Sequence, residues 1–200
     1  MDSSSPKPPT DSTPRMRNQK TTVSAPTQRA VNRNWNFYWN ETTNDMSSID
    51  PCAFNYRGPF PFPTSEAINI ARYLKSLPNV VAYMDIHAYA QLILTPYGYT
   101  GGLPSNYDSY LKPLAEGAAK ALAAVHGTQF KVGDIYHTIY PATGSSIDYA
   151  MGEDRVPVPL EIELKDMGLF GYTLPADQIL PSGQETWAAI AYILHNLKDE

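Results

Sequence analysis

The sequence predicts an α/β layered domain, and three observations carry that expectation. Short runs rich in Val, Ile and Leu alternate with segments whose apolar residues recur at helical spacing. The apolar run over residues 80–89 is preceded by Leu77-Pro78-Asn79 and followed by a second apolar run, the profile of a strand buried on both faces. Helical and extended segments then follow one another to the C-terminus without an internal repeat, the pattern of helices layered on one sheet. A length of 200 residues suits a single domain, and 42% hydrophobic residues can build its core.

Residues 1–30 are Ser, Thr, Pro, Gln and basic residues with almost no apolar periodicity. They are expected to form a low-complexity, disordered tail ahead of a folded unit over residues 31–200. The composition changes at Val31-Asn32-Arg33-Asn34-Trp35, and residues 37–63 read as a long, turn-rich, aromatic surface segment. Thr64 reads as an N-cap, with Ala67, Ile68, Ala71, Leu74 and Leu77 following at helical spacing. The next strand ends at His87, a second covers residues 91–95, and a loop runs to Pro104. Leu111, Leu114, Ala115, Ala118, Leu122 and Val125 mark another helix that begins or kinks near Pro113 and is closed by Gly127. Residues 134–140 are expected to be a short strand, 147–151 a brief helix, and 156–164 a strand with two embedded glutamates. Ser182 with Glu185 three positions on is a capping-box pattern, so the last helix is expected to open there and continue through Trp187, Ile190, Ala191, Leu194 and Leu197.

Charge and cysteine usage exclude several functions. A net charge of −5, a pI near 5.3 and scattered Lys and Arg leave no footprint for nucleic acid or an anionic membrane surface. No run approaches the roughly 18 apolar residues of a membrane span, and no signal peptide is readable at the N-terminus. Cys52 is the only cysteine, which excludes an internal disulfide and a zinc site built on several thiolates.

Four stretches carry chemistry. His87 falls at the C-terminal end of its strand, where open α/β sheets bind ligands, so it can serve as a metal ligand or acid/base, or simply close the sheet by hydrogen bonding. Glu161 and Glu163 lie two apart, so on a strand both carboxylates face one way: either a general base of raised pKa, or the solvated face of an edge strand. Asn32-Arg33 sets an amide beside a guanidinium fork suited to a carboxylate, although a loop arginine can equally form a surface ion pair. Tyr140 precedes Pro141 and a Gly-Ser loop, and can offer its hydroxyl or pack as an aromatic. The remaining histidines, His126, His137 and His195, form no H-E-x-x-H or H-x-x-E motif.

Taken together, Asn32-Arg33-Asn34-Trp35, Ile86-His87-Ala88-Tyr89-Ala90-Gln91, Thr95-Pro96-Tyr97-Gly98-Tyr99, Ile139-Tyr140 with Gly144-Ser145-Ser146-Ile147-Asp148, and Glu163-Leu164-Lys165-Asp166 with Gly168 resemble the zinc metallocarboxypeptidases of the carboxypeptidase A type, in a fungal-like form. Leu174-Pro175 and Gln184-Glu185-Thr186-Trp187 extend the likeness to the C-terminal helix. The resemblance implies a three-layer α/β/α fold with a mixed sheet, here lacking the N-terminal part of the sheet, so that residues 31–200 would be a partial catalytic domain. It implies hydrolysis of C-terminal, apolar or aromatic residues from peptides, zinc as cofactor, peptide or protein C-termini as partners, and an extracellular, secreted setting.

The resemblance also implies roles. His87 would be a zinc ligand, Glu163 the general base and Arg17 the oxyanion arginine. Asn32, Arg33 and Tyr140 would grip the terminal carboxylate, Ile147 would floor the side-chain pocket and Tyr89 would join a more distant subsite. Its other two zinc ligands come from an H-x-x-E motif that this sequence does not contain, so weak or no zinc binding and little activity are expected of the chain as given. A non-catalytic binder of C-terminal carboxylates and a truncated product are the alternatives. Cys52 matches half of a family disulfide whose partner falls near Pro26, and Ala88 and Lys165 stand where Ser and Arg are more frequent. The missing sheet portion is expected to include the strand beside the one bearing Glu163, leaving that strand at an exposed edge.

Overall fold

The computed structural model describes residues 30–41 and 46–198. Arg17, Pro26 and nearly all of the expected tail lie outside the described residues. In order, the elements are α1 (Ser65–Ser76), β1 (Ala82–Ala88), β2 (Leu92–Thr95), α2 (Lys112–His126), β3 (Lys131–Asp134), α3 (Ile135–Thr138), α4 (Ser146–Gly152), β4 (Val158–Leu164) and α5 (Ile179–His195).

The sheet is mixed and ordered β1-β4-β2-β3, with β1 parallel to β4, β4 antiparallel to β2, and β2 parallel to β3. Period-two alternation along β4 divides the molecule into layers. Val158, Leu160 and Ile162 face α2 and α5, where they join Ile93, Leu114, Ala118, Leu122 and Ile193 in the main core. Burying such side chains stabilises the fold by about 1.5–3 kcal/mol each. Small residues on α2 let the two helices approach: a Cβ on Gly117 would collide with the ring of Tyr192. On the opposite face α1 and α4 pack through Trp35, Ala67, Ala71 and Tyr149, and through Leu74, Ala150 and Val156. Glu161 and Glu163 project to that second side.

Four local expectations give way to the structure. β1 is not buried on both faces: among the described residues it pairs only with β4, and Ile86 is 43% exposed. Correspondingly, the strand bearing Glu163 is not at an edge. It lies between β1 and β2, and among the described residues the edge strands are β1, which carries His87, and β3. Residues 134–140 are not a strand: Asp134 ends β3 and caps α3 by accepting the His137 N–H at 3.0 Å, a local bond that diverts the chain into a helical turn. Finally, α5 opens at Ile179 rather than at Ser182, because Pro181 is tolerated in a first helical turn. The Glu185 carboxylate is taken by Lys165 Nζ at 2.9 Å and Thr128 Oγ1 at 2.6 Å, so it closes no capping box.

Thr64 does precede α1, but its hydroxyl makes no cap hydrogen bond. Gly127 closes α2 at φ 85°, and Pro113 fits the first turn of α2, behind a single π turn over Tyr107–Leu111.

Candidate functional site

The parallel pairing of β1 with β4 places His87 beside Glu163 and Asp85 beside Glu161, all on the face opposite the main core. Three of these side chains, His87, Glu161 and Glu163, meet the turn at Val31–Arg33 and the segment from Ile135 to Ser145 around a cavity of about 180 Å³, with Asp85 behind His87. Asn32, Arg33, His87, Tyr140, Glu161 and Glu163 all line it, as do the apolar Ile135, Ile139 and Ala142. That volume is below the range typical of drug-sized ligands and suits a single amino-acid side chain.

Arg33 is aimed by its own neighbourhood. Its Nε donates to the Met46 carbonyl at 2.8 Å, Nη1 to the Asn32 carbonyl at 2.6 Å, and Nη2 to the Tyr140 hydroxyl at 3.2 Å. None of these acceptors is charged, so the guanidinium keeps its full attraction for an incoming anion. Gly144 sets the turn behind it at φ 69°, and a Cβ there would lie 2.5 Å from the Arg33 carbonyl oxygen. Asn32 is fixed through Oδ1, which accepts the Ser146 N–H at 2.8 Å, and turns Nδ2 towards Glu161 Oε2 and His87 Nε2, 3.4 Å from each.

His87 Nε2 lies 3.0 Å from Asp85 Oδ1 and 4.0 Å from Glu161 Oε2. Burial opposes its protonation, but the hydrogen bond to Asp85 and the charges of Glu161, Asp85 and Glu163 outweigh it and push the pKa up to about 9. Asp85 moves the other way: burial raises its pKa, and the stronger pull of His87, with a hydrogen bond from Ser146 Oγ, leaves it below the usual carboxylate range. Glu161 is 5% exposed, and burial, with repulsion from Glu163 and Asp85, pushes its pKa up to about 7 against the attraction of His87. Burial likewise raises Glu163, whose Oε2 is buried without a hydrogen-bond partner among the described residues.

The donor set decides what metal chemistry these residues support. Asp85, His87 and Glu161 each offer an atom within 4.8 Å of the others. However, Asp85 Oδ1 shares the Nε2 proton, Asp85 Oδ2 accepts from Ser146, and Glu161 Oε2 accepts from Asn32. An Nε2–H donated to a carboxylate is the usual outer partner of an imidazole that binds metal through its other nitrogen. Read that way, His87 would offer a metal its Nδ1, with Asp85 orienting the ring. A catalytic zinc takes three protein ligands, and Asp85, His87 and Glu161 are the described group whose donor atoms lie close enough to one another to be weighed for that set.

The remaining sequence-predicted residues are close by but not all in the cavity. Ile147 is fully buried with Leu94 and Ile135, so it backs the cavity wall rather than lining it. Tyr89 packs edge-on against Tyr172, ring centroids 5.0 Å apart, and it is Tyr172 that reaches the cavity. Next to Ile147, Asp148 is fully buried and ties the Pro96–Tyr99 loop to α4 by accepting the N–H groups of Gly98 at 2.9 Å and Tyr99 at 3.1 Å. Burial pushes its pKa up to about 7 against those hydrogen bonds. Asp85, Ser146, Ile135 and Tyr172 were missed by sequence reasoning. For Asp85 the signal was available, since it stands two residues before His87 on the same strand face.

The family model described as zinc carboxypeptidase matches residues 10–189. A metallocarboxypeptidase A-like protein of Trichophyton verrucosum (strain HKI 0517) is 40% identical over 171 residues, 84% of this chain and 40% of that protein. Carboxypeptidase B of Astacus astacus is 40% identical over 169 residues, 84% of this chain and 54% of that protein. Among solved structures, bovine thrombin-activatable fibrinolysis inhibitor in complex with tick carboxypeptidase inhibitor superposes with a TM-score of 0.76 at 27% identity, covering 84% of this chain and 56% of that one. Carboxypeptidase A from Helicoverpa armigera gives 0.74 at 29% identity, covering 84% and 41%. The chain thus spans about half the length, or less, of the curated relatives it matches.

Proposed function

We propose that this chain, which belongs to the zinc carboxypeptidase family, carries the substrate-recognition side of a metallocarboxypeptidase site that removes the last residue of a peptide. The observation that carries the reading is the convergence of Arg33, Tyr140 and Asn32 on the cavity that also holds His87 and Glu163. Arg33 and the Tyr140 hydroxyl bind the terminal carboxylate of the peptide, and Asn32 supports them from the side. The last side chain enters between Ile135, Ile139 and Ala142, whose apolar surface favours an aliphatic or aromatic stem. Glu163, desolvated and with one oxygen free of partners, is the group placed to accept a proton. Zinc, the family's metal, supplies Lewis-acid polarisation of a carbonyl where its full ligand set is present. The extracellular setting implied by the family likeness is part of this proposal, and no described helix is long and apolar enough to cross a membrane.

A second reading, a metal-independent binder of peptide C-termini, is favoured by one observation: Arg33 is held in place by the Met46 and Asn32 carbonyls and the Tyr140 hydroxyl, protein groups that are not metal donors of the His87 cluster. Zinc stoichiometry and hydrolysis separate the two. Chain incubated with zinc and then dialysed is expected to retain well under one zinc per molecule and to release almost no C-terminal residue from an N-blocked dipeptide, while still binding it. One tightly held zinc per chain with steady release would overturn the incomplete metal set and make the chain a peptidase in its own right.

A further inference from the structure

One motif lies apart from the residues that line the cavity: Asn40-Glu41-Thr42, an asparagine with threonine two positions on and no proline between. No other asparagine in the sequence has serine or threonine at that spacing. Thr42 lies outside the described residues and enters through its place in the sequence, whereas Asn40 and Glu41 are described and both are exposed. Asn40 sits in a β-turn closed by the Glu41 N–H, which donates to the Tyr38 carbonyl at 3.2 Å. An exposed turn is where an asparagine of this pattern can receive an N-linked sugar.

The Asn40 amide is held from the inside by its oxygen. Arg57, 6% exposed, donates from Nη2 to Asn40 Oδ1 at 3.2 Å and from Nη1 to the Trp39 carbonyl at 3.0 Å, and its guanidinium lies 4.7 Å from the centre of the Trp39 ring. A sugar is carried on Nδ2 and leaves the side-chain carbonyl in place, so the bond to Arg57 survives the modification. Asn34 shows the opposite arrangement. It is fully buried, and its Nδ2 donates to the carbonyls of Ala30 at 3.0 Å and Arg57 at 2.8 Å, so its amide nitrogen is committed to the fold. Asn40 combines the motif with exposure and with anchoring through the atom that glycosylation does not touch.

We propose that Asn40 is an N-glycosylation site whose Nδ2 takes an oligosaccharide from a lipid-linked diphosphate donor. The new bond joins Nδ2 to the anomeric carbon of the first sugar, that carbon's bond to the donor diphosphate breaks, and the Nδ2 proton leaves with the lipid diphosphate. Arg57 then keeps the glycosylated turn in its place. The inference rests on the extracellular setting proposed above, because the donor and its transferase act on chains entering the secretory route.

Translation of the full chain behind a cleavable secretion leader, with endoplasmic-reticulum microsomes present, tests the proposal, and added protease marks the molecules that have entered. Protected chain is expected to run as a heavier band that peptide-N-glycosidase returns to the unmodified mass, with Asn40 read as aspartate in the released peptide. Asn40→Gln and Thr42→Ala are each expected to abolish the heavier band, and Thr42→Ser to retain it. Transfer accompanies translocation, so these readouts do not depend on whether a variant reaches its final fold. Protected parent chain at its unmodified mass overturns the proposal, as does a heavier band that persists in Asn40→Gln. The leader supplies the setting, so either of those results leaves the extracellular reading standing. That reading fails on a different result, the natural protein found only inside the cells that make it, and the modification then fails with it.

Discussion

Replacing Arg33 by alanine is expected to weaken binding of a peptide C-terminus by on the order of 100-fold, about 3 kcal/mol, because the charge-assisted hydrogen bonds to the carboxylate are lost inside a partly desolvated cavity. The Tyr140 hydroxyl, 3.2 Å from Nη2, loses its neighbour at the same time, so truncation removes an organised pair rather than one contact. Arg33→Lys restores the charge but not the fork, since an ammonium cannot hold Met46, Asn32, Tyr140 and a carboxylate in one plane. It is expected to recover only part of the affinity. Titration calorimetry with a thermal melt of each variant checks this. A loss of less than about threefold in Arg33→Ala, with the melt unchanged, would remove Arg33 from the recognition role.

The largest effect on stability is expected from Glu185→Ala. Glu185 is 1% exposed in α5 and pairs with Lys165 Nζ at 2.9 Å, just beyond the C-terminal end of β4. Its other oxygen accepts from Thr128 Oγ1 at 2.6 Å, so the carboxylate joins the end of β4, the loop after α2 and α5. Removing it leaves the Lys165 ammonium without a counter-charge where its side chain is only 12% exposed. Breaking a buried pair from one side costs about 3–5 kcal/mol. At this chain length that corresponds to a fall in Tm of roughly 10 °C. The double replacement Glu185→Leu with Lys165→Met removes both charges together and is expected to recover much of the loss. A Glu185→Ala chain that unfolds within about 1 kcal/mol of the parent in urea would show that the pair does not secure this end of the sheet.

Much of this was legible in residue order, for reasons that differ from place to place. The alternation Val158, Leu160, Ile162 against Glu161, Glu163 separates the core face of β4 from the cavity face, because successive side chains on a regular strand point to opposite sides. Asn32-Arg33 and Tyr140 could be identified as chemistry from local composition, yet their meeting across 107 residues comes from tertiary packing. Sheet order was not legible in the same way. The strand bearing Glu163 looked exposed, but both its neighbours, β1 and β2, are supplied by this chain, and among the described residues the edges belong to β1 and β3.

Local bonding misled in two places. Residues 135–140 looked like the continuation of a strand, but the Asp134 carboxylate at the end of β3 caps the helical turn that follows. Ser182 and Glu185 looked like a capping box until Lys165, distant in sequence, claimed the glutamate. Asp85 was overlooked because a single aspartate in an apolar strand carries no motif, although its spacing from His87 already put the two on one face.

The account turns on a carboxylate site assembled from Arg33, Tyr140 and Asn32. Titrating the full chain, in excess chelator, with one N-blocked peptide as its free acid and as its C-terminal amide tests it most directly. The free acid is expected to bind at least about tenfold more tightly. Equal affinity for acid and amide would contradict it.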